Sequence, residues 1–224
     1  MQTLYAFNDD AIQLEEKEKF LRESMNNMYN LYLLMLSLMI EVQKKAQWHL
    51  EKVQQKHLAT EEEKNPSKKL VHNKLLVQLS ENESLKSELS KRKLNNWEFD
   101  NEYVDVIFKA LLKSDLYQTY MSQPSSTFNE DKEFLIQFYK TIVAPNDKLY
   151  DYLEDKSITW VDDLPVVNTT LLKLLRKATP DSHNLHFLPR LFRDIEDRDF
   201  GIALLKATVK NIDTYDDEIA KKTQ

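Results

Sequence analysis

A chain of 224 residues with 42% hydrophobic side chains, 31 Lys+Arg and 37 Asp+Glu has enough apolar content to build a core and is not a disordered polyelectrolyte. It has no cysteine and a single glycine, Gly201, which excludes disulfide frameworks, thiolate nucleophiles and Cys-ligated zinc, along with glycine-rich phosphate loops and nucleophile elbows. The Asn-Gly and Asp-Gly dipeptides of tight hairpins are also missing, so the composition predicts an all-α protein with no catalytic or metal site, a binding protein and not an enzyme.

In chain order, residues 2–7 read as a short helix with Leu4 and Phe7 on one side. A second helix starts near Gln13, carries Leu14, Phe20, Leu21 and Met25 at helical spacing, and continues into an apolar run over residues 31–40 broken only by Ser37. That run is shorter than the ~18–20 residues of a membrane span, and it predicts a buried helix. No basic region followed by an apolar core opens the chain. With the absence of cysteine, this gives the expectation of a cytoplasmic protein that does not associate with membranes.

The pattern turns amphipathic through about Lys56. Lys45, His49, Lys52 and Lys56 recur on one face beside Trp48, and Lys91, Arg92 and Lys93 form a second basic group. Such a stripe can bind phosphates, or it is a solvated face, with Glu41 and Glu51 close by. Residues 59–69 carry a charge cluster and Pro66, which reads as a loop or helix start. A helix is predicted over residues 70–79. Residues 80–93, strongly charged with Leu85, Leu89 and Leu94 nearby, read as an exposed helix or connection. Residues 1–95 carry a net charge of +1 and the remainder −7. We therefore expect an N-terminal helical region over 1–95 and an acidic helical region over 96–224, the latter a poor general surface for nucleic acid.

The acidic region contains an approximate repeat. Residues 102–121, 134–153 and 200–219 align on Asp115, Asp147 and Asp213, with an apolar face and a break in each copy. Val104, Ile136 and Ile202, then Leu111, Val143 and Val209, then Met121, Leu153 and Ile219 occupy equivalent positions and predict core contacts. The three aspartates read as N-caps of the following helices rather than acid catalysts. The preceding residue differs in each copy, being Ser114, Asn146 and Ile212, which leaves duplication and convergent helix–turn–helix chemistry both open. Trp160 with Asp162 and Asp163 reads as a core anchor and a cap for a helix over 166–177. His183 and His186, between Pro180 and Pro189 with only Asp181 as a further ligand, read as a polar loop.

The opening stretch MQTLYAF, with Gln2, Leu4 and Tyr5, resembles the first helix of the NusB transcription antitermination family (N-utilization substance protein B). Residues 73–79 (NKLLVQL), 114–121 (SDLYQTYM), 138–143 (FYKTIV), 153–163 (LEDKSITWVDD) and 168–177 (NTTLLKLLRK) follow in the order of its extended, Bacteroidetes-type members. The resemblance implies a helical-bundle NusB-type N-terminal region with additional helices. It also implies a role in transcription antitermination and transcription regulation, by binding boxA-type RNA together with the small-subunit ribosomal protein NusE in the elongation complex. Gln2 and Tyr5 lie in the matching motif; with Lys45, Lys52 and Lys56 they are the candidate RNA-binding residues, and no cofactor or metal is expected. The family's arginine-rich lead-in would precede Met1, and its Asn-Trp-Asp segment and later helices would follow Gln224, so the chain is expected to be the N-terminal part of a longer protein. A helical protein-interaction module without nucleic-acid binding is the alternative from a different class.

Overall fold

The computed structural model describes residues 14–54, 66–189 and 195–211. Among the described residues there are ten α-helices, one π-helical turn and one 3-10 turn, and no strand. The all-α expectation holds. The predicted helix over 2–7, Gln2 and Tyr5 within it, Lys56 and Asp213 all lie outside the described residues. Chain contacts group the protein into two units, one of residues 28–189 and one of residues 1–27 with 190–224.

In the 28–189 unit the organising element is the long helix α1 (Leu14–Gln54), of which residues 31–40 are buried throughout. Such a stretch has to be covered on every side, because each large aliphatic side chain removed from water contributes about 1.5–3 kcal/mol. Ser37, the polar break in the run, is satisfied inside the core. Its hydroxyl donates to the Leu34 carbonyl at 2.8 Å and accepts from the Trp97 indole N–H at 3.1 Å.

The cover comes from both sides of the charge change. Helices α2 (Lys74–Ser80) and α3 (Glu83–Lys91) precede it. Following it are α4 (Asn96–Phe99), α5 (Asn101–Leu112), α6 (Asp115–Met121), α7 (Phe128–Phe138) with its π-helical extension Tyr139–Val143, α8 (Asp147–Lys156), α9 (Ile158–Lys177) and the 3-10 turn Asn184–Phe187. The expected division at residue 95/96 therefore falls inside one compact unit. Charge patterns the surface, whereas the contacts follow the apolar faces that close over residues 31–42.

Local chemistry sets several helix boundaries. The helix expected over 70–79 starts at Lys74, because the Asn73 side chain caps it by accepting from the Leu75 and Leu76 amides at 3.1 and 3.0 Å. Residues 80–93, expected as an exposed helix or connection, contain helix α3, which is largely exposed but anchored at two buried residues. Asn82 is buried, caps α3 through the Leu85 amide, and donates to the Asn184 carbonyl at 2.9 Å, while Leu85 is fully buried.

The repeat is visible as helix, break, helix in its first two copies, but the caps are one residue earlier than expected. Ser114 and Asn146 accept from the Tyr117 and Leu149 amides, and Asp115 and Asp147 stand at the first helical position, where their charge faces the positive end of the helix dipole. Val104, Ile136, Leu111, Val143 and Leu153 are buried as the alignment requires. Asp162 and Asp163 are not caps either. Helix α9 begins at Ile158 and runs through them and through Pro165.

In the other unit, α10 (Ile195–Lys210) buries Ile202 and Leu205, and Lys206 pairs with Glu18 of α1 at 2.9 Å. Phe200 and Leu204, one turn apart on α10, remain exposed.

Candidate nucleic-acid interface

The sequence stripe on α1 is partly a helix–helix contact. His49 packs edge-on against Phe108 of α5 at 5.6 Å, and Lys45 pairs with Asp105 of α5 at 2.5 Å. Three residues beyond Lys45 the helix turns Trp48 outward, 49% exposed. The Lys45 ammonium lies 4.6 Å and the Lys52 ammonium 5.5 Å from the centre of its ring. A large aromatic this open to water loses hydrophobic stabilisation, while cations over an indole contribute about 0.5–1 kcal/mol each at exposed sites. The arrangement is a half-open ring with two lysines over it, of which Lys45 is also paired with Asp105.

Trp48 is on the wall of a cavity of about 270 Å³ that also includes Lys44, Lys45, Asn101 and Asp105. A second cavity of about 590 Å³ shares Glu41, Lys44 and Trp97 with it and extends to Lys86, Ser90, Lys93 and Asn95 of α3 and the turn after it. Trp97 is the common floor. It is buried and its indole N–H donates to the Leu34 carbonyl at 3.0 Å as well as to Ser37. Behind it Tyr152 packs on Trp97 at 5.5 Å and on Tyr103 at 4.3 Å, and its hydroxyl donates to Asp100. That hydrogen bond and the Lys156 ammonium beside it hold the Asp100 carboxyl below its ordinary range.

Of the residues expected to bind RNA, Lys45 and Lys52 thus come together around Trp48. In the second basic group, Arg92 is committed to the fold: it pairs with Glu88 at 2.5 Å, donates to Asn30 and lies over the Tyr29 ring at 4.6 Å. Lys93 lines the larger cavity instead. Lys44, Lys86 and Asn95 were not singled out from sequence, although Lys86, Ser90 and Lys93 recur at helical spacing along one side of α3 and its terminus.

The other candidates have structural roles. His183 Nδ1 accepts from the Leu185 amide at 3.2 Å and His186 Nε2 donates to the Leu174 carbonyl at 2.9 Å. Among the described residues no three His, Asp or Glu side chains gather as a metal site. Buried Asp131 accepts from the Lys74 amide at 2.8 Å, the Tyr120 hydroxyl at 2.6 Å and the Ser126 hydroxyl, joining α2, α6 and α7. Among the described residues no helix is long and apolar enough to cross a membrane.

No family model, no curated relative and no solved structure matches the chain.

Proposed function

We propose that the protein is a non-catalytic, RNA-binding factor of the transcription antitermination type, acting with NusE on boxA-like RNA as the NusB resemblance implies. The observation that carries RNA binding is the half-exposed Trp48 ring with Lys45 and Lys52 over it. Single-stranded nucleic acid is held by such a pairing of a stacking ring with backbone-neutralising cations, and stacking of one base is worth about 1–3 kcal/mol. The chain's net charge of −6 argues against a general affinity for polyanions, so binding has to be local to this face.

The test is a fluorescence-anisotropy titration of boxA-like and unrelated single-stranded RNA at two salt concentrations, with and without NusE. Binding that weakens with salt and falls about tenfold in Trp48→Ala supports the proposal. Absence of binding to either RNA, even with NusE, ends it. The reading that then takes its place is a helical protein-interaction module, favoured by the exposed Phe200 and Leu204 on α10.

A further inference from the structure

The cavity at Trp48 and the larger groove between α1 and α3 are neighbours that share Glu41, Lys44 and Trp97 in their linings. We propose that this larger groove is a phosphate track, in which Lys86 and Lys93 hold the backbone of the same single strand whose base stacks on Trp48. The inference rests on the RNA-binding reading and adds to it a second subsite and the residues that hold it.

Four observations carry it. First, the groove offers charge without a second stacking platform. Trp97 is 4% exposed and its N–H is engaged by Leu34 and Ser37, so Trp48 is the ring available to a base and the groove is left to the backbone. Second, Lys93 makes no ion pair or side-chain hydrogen bond among the described residues and is exposed at the groove.

Third, Lys93 has a left-handed backbone, φ 55°, a conformation that costs a residue with a side chain about 1–2 kcal/mol and that glycine adopts freely. The turn itself explains the conformation. Leu94 N–H closes onto the Leu89 carbonyl and Lys93 N–H onto Ser90, each at 3.0 Å. It also sets Lys93 in the wall of the groove. Fourth, the competing acids are weakly placed. Lys86 pairs with Glu83 at 2.8 Å and Lys44 with Glu41 at 2.7 Å, both on the surface within one helix turn. Exposed pairs of this kind are worth about 0–1 kcal/mol and yield to a phosphate.

The lining also limits the effect. Glu41 and Glu98 share the lining with Lys44, Lys86 and Lys93, and Lys44 is held by Glu41, so with Lys86 released from Glu83 the two outer lysines neutralise at most about two phosphates. Each contributes about 0.7 to the slope of log affinity against log salt for a single strand. The expected signature is therefore a change in slope of about 1.4 when both outer lysines are removed.

The experiment titrates the full chain with a fluorescein-labelled oligoadenylate RNA of about 12 nucleotides, within the usual span of single-strand sites, at several salt concentrations. Wild type is compared with Lys86→Gln/Lys93→Gln and with Trp48→Ala, and circular dichroism is used to check that each variant is folded. We expect the double variant to bind about tenfold more weakly with a slope lower by about 1.4, and Trp48→Ala to bind more weakly with its slope unchanged. Equal affinity and slope in the double variant, with Trp48→Ala still impaired, overturns the track and leaves the RNA reading standing. No binding by wild type overturns both. A duplex of the same length bound as tightly as the single strand also overturns the proposal, since a paired base cannot stack on Trp48.

Discussion

Asn73 engages both ends of its side-chain amide although the residue is completely buried. Its oxygen caps α2, and its nitrogen donates to the Asp131 carbonyl at 3.0 Å and to the Tyr120 hydroxyl at 3.2 Å. Loss of a cap costs about 0.5–2 kcal/mol, and a buried partner left unpaired costs about 1–3 kcal/mol more. Asn73→Ala should therefore lower stability by about 3 kcal/mol in urea unfolding. Asn73→Asp separates the two roles. It keeps the acceptor for Leu75 and Leu76 but turns an oxygen toward the Asp131 carbonyl, so it should not rescue the loss. An aspartate variant as stable as wild type would show that the cap alone matters. This residue was hard to read in the sequence, because Asn73 falls inside an apolar-periodic stretch and looks like an ordinary helix position. The same holds one helix later for Asn82. The cap of α7 was more open to reading: Thr127 and Glu130 have the spacing of a capping box, and the Thr127 amide donates to Glu130 at 2.7 Å while Thr127 Oγ1 accepts from the Glu130 amide.

At the scale of the element, α9 shows tertiary packing overriding a local signal. The residue before a proline is biased away from helix, which is why the sequence suggests a helix beginning after Pro165. Trp160, Leu164, Val167, Leu171 and Leu175 nevertheless form one buried stripe, and that stripe holds a single helix across the proline. The missing proline amide leaves the Val161 carbonyl without its usual intrahelical donor, a defect that costs about 3 kcal/mol relative to alanine in a helix interior. Pro165→Ala should then raise stability by about 1–3 kcal/mol, and a loss would mean that the proline shapes the packing and is not simply tolerated. Asp163 lies in the same turn. Burial, reinforced by the charge of neighbouring Asp162, pushes its carboxyl up to about 6, and its Oδ2 has no hydrogen-bond partner among the described residues. Because the folded value is above the unfolded 3.8, the charged form is disfavoured in the fold. The destabilisation is absent below about pH 4, grows between pH 4 and 6, and is complete above about 6. Asp163→Asn should stabilise the protein at pH 7.5 by about 1 kcal/mol, since partial exposure screens the charge, and the gain should disappear at pH 4. A gain independent of pH would assign the effect to packing.

For the whole molecule, the sequence exposes its class more readily than its partition. Scarce glycine, absent cysteine and helical periodicity are properties of the entire chain, and they suffice for an all-α fold. Which helices pack together depends on how apolar faces separated by many residues meet, and the charge step near residue 95 carries no information about that. The arrangement at Trp48 was half legible for the same reason: Lys45 and Lys52 share its helix, whereas the groove needs α3 folded against α1 before Lys44, Lys86 and Lys93 share a wall. The partition has a measurable consequence. Residues 31–42 are buried in all but one position, and Leu31, Leu33, Leu34, Leu36, Leu38 and Met39 are inaccessible to water. Opening that stretch exposes most of the core of the 28–189 unit, so its amides can exchange only through unfolding of that unit. Helix α10, with only Ile202 and Leu205 buried among its described residues, has much less apolar burial opposing local opening. Native-state hydrogen exchange should therefore show the slowest amides over residues 31–42, exchanging with the free energy of global unfolding, and faster exchange across α10. Leu34→Ala, which costs about 2–5 kcal/mol for a buried leucine, should accelerate the slow set and leave α10 unchanged. If α10 were as protected as residues 31–42 and lost protection with them in Leu34→Ala, the two units would unfold as one.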